Sequence, residues 1–218
     1  IQILTKEMLT VPLIGFAGAP FTLASYMIEG GPSKNYQKTR QCLVATPEIW
    51  HALMERLTTM SITYMEGQIK AGVQAIQIFD SWIGALSMEQ YETGVFPYMK
   101  RIIGTSKERY PHIPITMFGV GTKHLFPVWK ELPLDVIGCD WRCSIAEASA
   151  MGITQTLQGN LDPAYLFADW KTIQHEIDRI LEEGAAHGKH IFNLGHGVVP
   201  DANPKVLRKI VEYVHDRG

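Results

Sequence analysis

A chain of 218 residues with 46% hydrophobic and 19% charged residues can bury one sizeable core, and its composition carries no signature of disorder. The formal net charge of −2 and the lack of a Lys/Arg run exclude a sequence-wide basic field of the kind that holds nucleic acid. No apolar run approaches the roughly 18 to 20 residues that span a bilayer, and no charged-then-apolar segment opens the chain; one soluble, cytoplasmic domain over residues 1–218 is expected. Cys42, Cys139 and Cys143 form neither a CxxC pair nor an even set, which predicts reduced thiols used for packing.

In chain order, the first residues, Ile1-Gln2-Ile3-Leu4, begin inside an apolar pattern without an initiator methionine, as though the chain were entered midway. Short apolar runs then predict strands over Val11–Ala17, Val73–Phe79, Ile113–Phe118, Asp135–Cys139, Thr154–Gln158 and His190–Leu194, each bounded by Gly or Pro. Helical spacing fills the intervals. Thr46 reads as an N-cap with Pro47 at the first helical position, Ile49, Leu53 and Leu57 read as one face of that helix, and Gly72 reads as its stop. Ser87 with Gln90 and Ser144 with Glu147 match the capping-box spacing, and Asn203-Pro204 predicts a cap before the last helix.

Strand and helix alternating six times imply parallel strands joined by right-handed crossovers. A doubly wound sheet calls for a phosphate loop on its first βα turn, and Gly15-Phe16-Ala17-Gly18-Ala19-Pro20 does not spell GxGxxG. A closed barrel calls for eight strands in typically about 250 residues. The expected fold class is therefore α/β, a (β/α)8 TIM barrel whose first two βα units are missing from this chain.

Barrels place their chemistry just past the C-terminal ends of the strands. Those positions hold Phe79-Asp80-Ser81-Trp82, Gly121-Thr122-Lys123-His124, Asp140-Trp141, Gly159-Asn160-Leu161-Asp162-Pro163 and Gly195-His196-Gly197, with Tyr26 on the helix after the first strand. His196 stands out, because flanking glycines leave its imidazole uncovered at a strand end. Asn160 and Asp162 read as turn and cap residues, Tyr26 alternatively as a packed aromatic, and Asp80 or Ser81 as turn residues. Lys123 and His124 fit solvent or site equally. No HExxH, His-x-Cys or CxxC motif offers a metal site, and no GxSxG offers a nucleophile elbow.

Read together, Pro12–Leu23, Tyr26-Met27-Ile28-Glu29-Gly30-Gly31, Gln77-Ile78-Phe79-Asp80-Ser81, Gln158–Pro163 and Asn193-Leu194-Gly195-His196-Gly197 strongly resemble the uroporphyrinogen decarboxylase family, in order and from about Pro12 to the end. The resemblance implies a (β/α)8 barrel, usually a homodimer, that uses no metal and no organic cofactor. It implies decarboxylation of the four acetate side chains of uroporphyrinogen III to coproporphyrinogen III in heme biosynthesis. By motif position it assigns substrate binding to Tyr26, Ser81 and His196, and a cleft aromatic to Phe79. The family's arginine-rich loop and its aspartate facing the pyrrole nitrogens have no counterpart here, so no catalytic residue is assigned and the chain alone is expected to be inactive. Asp80 is the nearest aspartate, but its motif already has another place in the family.

Two other readings stand beside this one. A zinc-dependent corrinoid methyltransferase of the same superfamily would need thiolate and imidazole ligands at a spacing that is missing. A noncatalytic barrel fragment would instead associate through two open sheet edges.

Overall fold

A computed structural model describes residues 1–31 and 33–217. After a helical turn at Leu4–Met8, the elements are β1 (Ile14–Gly18), α1 (Pro20–Glu29), α2 (Gln37–Ala45), α3 (Pro47–Lys70), β2 (Ala75–Phe79), α4 (Met88–Gly94), α5 (Phe96–Arg109), β3 (Ile115–Phe118), α6 (Phe126–Trp129), β4 (Val136–Gly138), α7 (Ile145–Ala150), β5 (Thr156–Leu161), α8 (Trp170–His187), β6 (His190–Leu194) and α9 (Pro204–His215). Short helical turns at Ile83–Ala85, Lys123–Leu125 and Pro163–Phe167 follow β2, β3 and β5. The six strands form one sheet in the order β1-β2-β3-β4-β5-β6, every pair parallel. Consecutive order is that of a β/α barrel; a doubly wound sheet reverses its order at a switch point. No described helix is long and apolar enough to cross a membrane.

Register decides what each face carries. Pairing aligns Ala17, Ile78, Met117, Ile137 and Leu157 across five strands, and all five are buried. They face the helices: α3 packs on β1, and α8 on β5 and β6. Because side chains alternate, the neighbouring rows point the other way. One runs Phe16, Gln77, Thr116, Val136, Thr156, and the next Gly18, Phe79, Phe118, Gly138, Gln158, Ile191. On that second face Phe16 and Phe79 are 59% and 40% exposed, so the apolar core lies between sheet and helices alone.

The predicted caps at Ser87, Ser144 and Asn203 form, the first two as full capping boxes. Thr46 does precede α3, but its hydroxyl donates back to the Cys42 carbonyl at the end of α2 and caps nothing. The buried face of α3 is Trp50, Met54, Leu57, Ser61 and Met65, one residue away from the predicted stripe at its start, with Ile49 63% exposed. Trp50 sets that rotation: its indole N–H donates to the Gly94 carbonyl at 2.8 Å, in full burial.

β1 has no described strand on its outer side. The Leu13 carbonyl and the Ala19 N–H both bond toward β2, so alternation turns the backbone groups of Phe16 outward. Gln68 of α3 meets both: its Nε2 donates to the Phe16 carbonyl at 2.8 Å and its Oε1 accepts the Phe16 N–H at 3.1 Å. A single carboxamide thus takes the place of a neighbouring peptide group. A side chain at Gly15 would collide with that Oε1. Gln68→Leu should speed hydrogen exchange of the Phe16 amide by about fivefold or more, the worth of one hydrogen bond, and increase association in light scattering. Unchanged exchange at Phe16 would contradict this role.

Candidate functional site

The uncovered face of the sheet encloses a cavity of about 270 Å³ lined by Gln77 and Phe79 of β2, Phe118 of β3, Gln158 of β5, Asn193 and Leu194 of β6, and His196, Gly197 and Val198 beyond it. Walls from β2 and from β6 meet there, so the sheet curves around the cavity. A second hollow continues past His196 and Gly197 to Trp141, Asp162, Pro163 and Phe167. His196 separates the two, its ring edge-on to Phe118 at 6.4 Å and to Trp141 at 6.0 Å.

Two of the four expected substrate residues, Phe79 and His196, therefore share one cavity. Tyr26 does not line it. Its ring lies 4.0 Å from that of Trp82, which also stacks on Tyr36 at 4.8 Å, making a partly exposed aromatic group over the end of β2. Ser81 sits between Phe79 and Trp82, at the start of the turn leaving β2, half-buried and outside both hollows. Gly84 pins that turn, since a side chain there would strike the Val120 carbonyl of the loop after β3.

The remaining strand-end polar groups make hydrogen bonds or ion pairs within the protein. Lys123 pairs with Glu147 and His124 bonds to the Leu86 carbonyl. Asn160 is buried and donates to the carbonyls of Asp140 and Cys143. Asp162 accepts the Ala164 N–H as a cap, and Asp140 accepts the Gly121 N–H. Burial raises the Cys139 thiol far above its usual range and that of Cys143 to about 11, so neither is a ready nucleophile. Among the described residues no three His, Cys, Asp or Glu side chains come together as metal ligands.

The polar lining of the main cavity is then two glutamines, one asparagine and one histidine between two phenylalanines. Gln77, Phe118, Gln158, Asn193 and Trp141 line these hollows without having been among the substrate residues expected from the sequence. The signal for Gln77 and Gln158 was strand alternation, which puts Gln77 on the same side as Phe79. Carboxamides donate to carboxylates and accept from ring N–H groups, and flat aromatic walls suit a ring system. Arg142 lies one residue from the second hollow, its guanidinium 3.9 Å over the Trp141 ring and hydrogen-bonded to Asp140 at 2.6 Å.

Asp80 points away from the cavity, toward α1. Its carboxyl is fully buried; Oδ1 accepts the Thr22 hydroxyl at 2.8 Å and Oδ2 has no partner. Desolvation, only partly opposed by the Thr22 bonds, raises its pKa from 3.8 to about 7. Tyr91 is likewise pushed well up, by burial first and by the Asp80 charge second. A raised carboxyl pKa means that the folded state holds the proton more tightly than the unfolded chain, so the stability this group contributes at low pH is lost as pH rises toward 7. Wild type should lose on the order of 4 kcal/mol relative to Asp80→Asn between about pH 4 and pH 7, measured by urea unfolding across that window. Parallel pH dependences would contradict the assignment.

A curated uroporphyrinogen decarboxylase from Oceanobacillus iheyensis is 56% identical over 216 residues, covering 99% of this chain and 62% of the relative. Another, from Staphylococcus saprophyticus, is 55% identical over the same shares. The chain thus spans about 62% of the length of these curated relatives. Among solved structures, a methyltransferase from Methanosarcina mazei superposes with a TM-score of 0.82 at 16% identity, covering 98% of this chain and 61% of that one. A B12-independent methionine synthase from Shewanella superposes at 0.65 and 14%, covering 98% of this chain and 63% of that one. At such identities these two likenesses concern the barrel fold alone. The sequence profile of the uroporphyrinogen decarboxylase (URO-D) family matches residues 1–217, and the chain belongs to that family.

Proposed function

We propose that this chain, within a completed barrel, decarboxylates the four acetate side chains of uroporphyrinogen to give coproporphyrinogen in heme biosynthesis. The observation that carries the reading is identity of 53–56% to curated uroporphyrinogen decarboxylases across 99% of the chain. The cavity supports it, being walled by aromatic rings, carboxamides and an imidazole where a carboxylated pyrrole could lie. On this reading residues 1–218 act as one partial-barrel domain, and the completed enzyme is a cytoplasmic homodimer.

The chemistry asks little of a cofactor. A pyrrole protonated at a ring carbon is an iminium-like cation. Breaking the bond between the acetate methylene and its carboxylate releases carbon dioxide and returns the electron pair to that cation. The methylene then takes up a proton, the ring carbon gives one back, and acetate has become methyl with one proton consumed overall. The protein must hold a polycarboxylate, keep water out and stabilise the transient charge.

In this scheme Phe79 and Phe118 flank a pyrrole, His196 hydrogen-bonds a carboxylate or pyrrole edge, and Tyr26 and Ser81 bond carboxylates from the opposite side of β2. The charged groups that stabilise the cation come from outside these residues. The test joins the unmatched residues of the Oceanobacillus iheyensis relative to residues 1–217 and assays the product by chromatography. The completed barrel should form coproporphyrinogen and this chain alone should not. A folded completed barrel without activity, or full activity from this chain alone, would overturn the reading. In the active form, His196→Ala should lower kcat/KM by about 10- to 100-fold, the cost of one charge-assisted hydrogen bond; an unchanged kcat/KM would remove His196 from the site.

A further inference from the structure

Tyr26 and Ser81 belong to different elements, and neither lines the cavity formed by the sheet. For both to act on one ligand, α1 must be held in fixed relation to the turn after β2. Three contacts do this. The Ala19 N–H, just before α1, donates to the Phe79 carbonyl at 2.8 Å. The Tyr26 ring packs on Trp82 at 4.0 Å. Between these two, the Thr22 hydroxyl donates to Asp80 Oδ1 at 2.8 Å while its oxygen lies 3.5 Å from the Trp82 N–H. Thr22 and Tyr26 are one helical turn apart, so they share a face of α1. Asp80 and Trp82 flank Ser81 directly.

A carboxyl is a costly choice for this position. It is fully buried with one oxygen unpartnered, and the Tyr91 hydroxyl of α4 is also buried without a partner. An apolar residue would avoid the desolvation penalty, and groups that break packing rules at a strand end point to a task other than stability. We propose that Asp80 is a positioning residue: its carboxyl, bonded to Thr22, locks the α1 turn that carries Tyr26 to the strand-end turn that carries Ser81, so that both side chains meet one ligand. The proposal rests on the reading above, in which Tyr26 and Ser81 bind substrate carboxylates.

The test uses the completed barrel and this chain in parallel. In the completed barrel, Asp80→Ala and Thr22→Val should each raise KM for uroporphyrinogen by about tenfold or more, with kcat changed less than about threefold. Asp80→Asn keeps an oxygen that accepts the Thr22 hydroxyl, and Thr22→Ser keeps the hydroxyl; both should hold KM within about threefold of the unmutated value. Combining Asp80→Ala with Thr22→Val should add little to either alone, since both remove one interaction. An unchanged KM in Asp80→Ala, or Asp80→Asn as impaired as Asp80→Ala, would overturn the proposal.

In this chain, hydrogen exchange over residues 20–26 and 80–83 should quicken together in Asp80→Ala and Thr22→Val and stay slow in Asp80→Asn. Independent exchange of the two segments would also overturn it. Should the unmutated completed barrel prove inactive, the function reading falls, and the exchange experiment still decides whether Asp80 couples the two segments. Should Asp80→Ala not fold, Thr22→Val against Thr22→Ser carries both measurements.

Discussion

Parallel register is the constraint on which the rest depends. Because all six strands run the same way and pair in sequential order, one row of residues faces the helices on every strand and the next row faces away. On the first five strands that row, Ala17, Ile78, Met117, Ile137 and Leu157, is apolar and buried, which removes apolar area from water and fixes which side of those strands is core. A slip of one residue in β2 would bury Gln77 among the helices and expose Ile76 and Ile78. The residues left over, Gln77, Phe79, Phe118 and Gln158, line the cavity as a consequence of that register, with no further structural device needed.

Two polar side chains then adjust what the register leaves exposed or mismatched. Gln68 answers the unpaired backbone of β1 with a carboxamide that satisfies donor and acceptor at once. Gly15 leaves the space that this carboxamide occupies. Asp80 does the opposite: it introduces an oxygen without a hydrogen-bond partner into a buried region and is tolerated beneath the turn that carries Ser81. One residue lowers the free energy of an edge, and the other raises the free energy of a core at the margin of a site.

Much of this was legible in the sequence, for identifiable reasons. Strand positions came from apolar runs bounded by Gly and Pro, and the capping boxes at Ser87 and Ser144 from a three-residue spacing that is local by nature. The exposed imidazole of His196 followed from its two flanking glycines. What stayed hidden depends on contacts far apart in the chain. The bond from Thr22 to Asp80 spans 58 residues, and that from Gln68 to Phe16 spans 52. The rotation of α3 is set by Trp50 reaching the Gly94 carbonyl, which no periodicity within the helix reports. Thr46 had the right composition for a cap, but the preceding helix ended close enough to take its hydroxyl. Gln77 and Gln158 read as ordinary strand residues until pairing put them beside Phe79 and His196.

On the proposed function, the helix-free face of the sheet is the ligand face, with Phe79, Phe118 and His196 against a carboxylated pyrrole. A crystal structure of the completed barrel with coproporphyrinogen bound tests it most directly. Pyrrole rings are expected on that face, within contact of Phe79 and Phe118 and with a polar atom in hydrogen-bond reach of His196. A tetrapyrrole bound elsewhere, with that face empty or filled by protein, would contradict it.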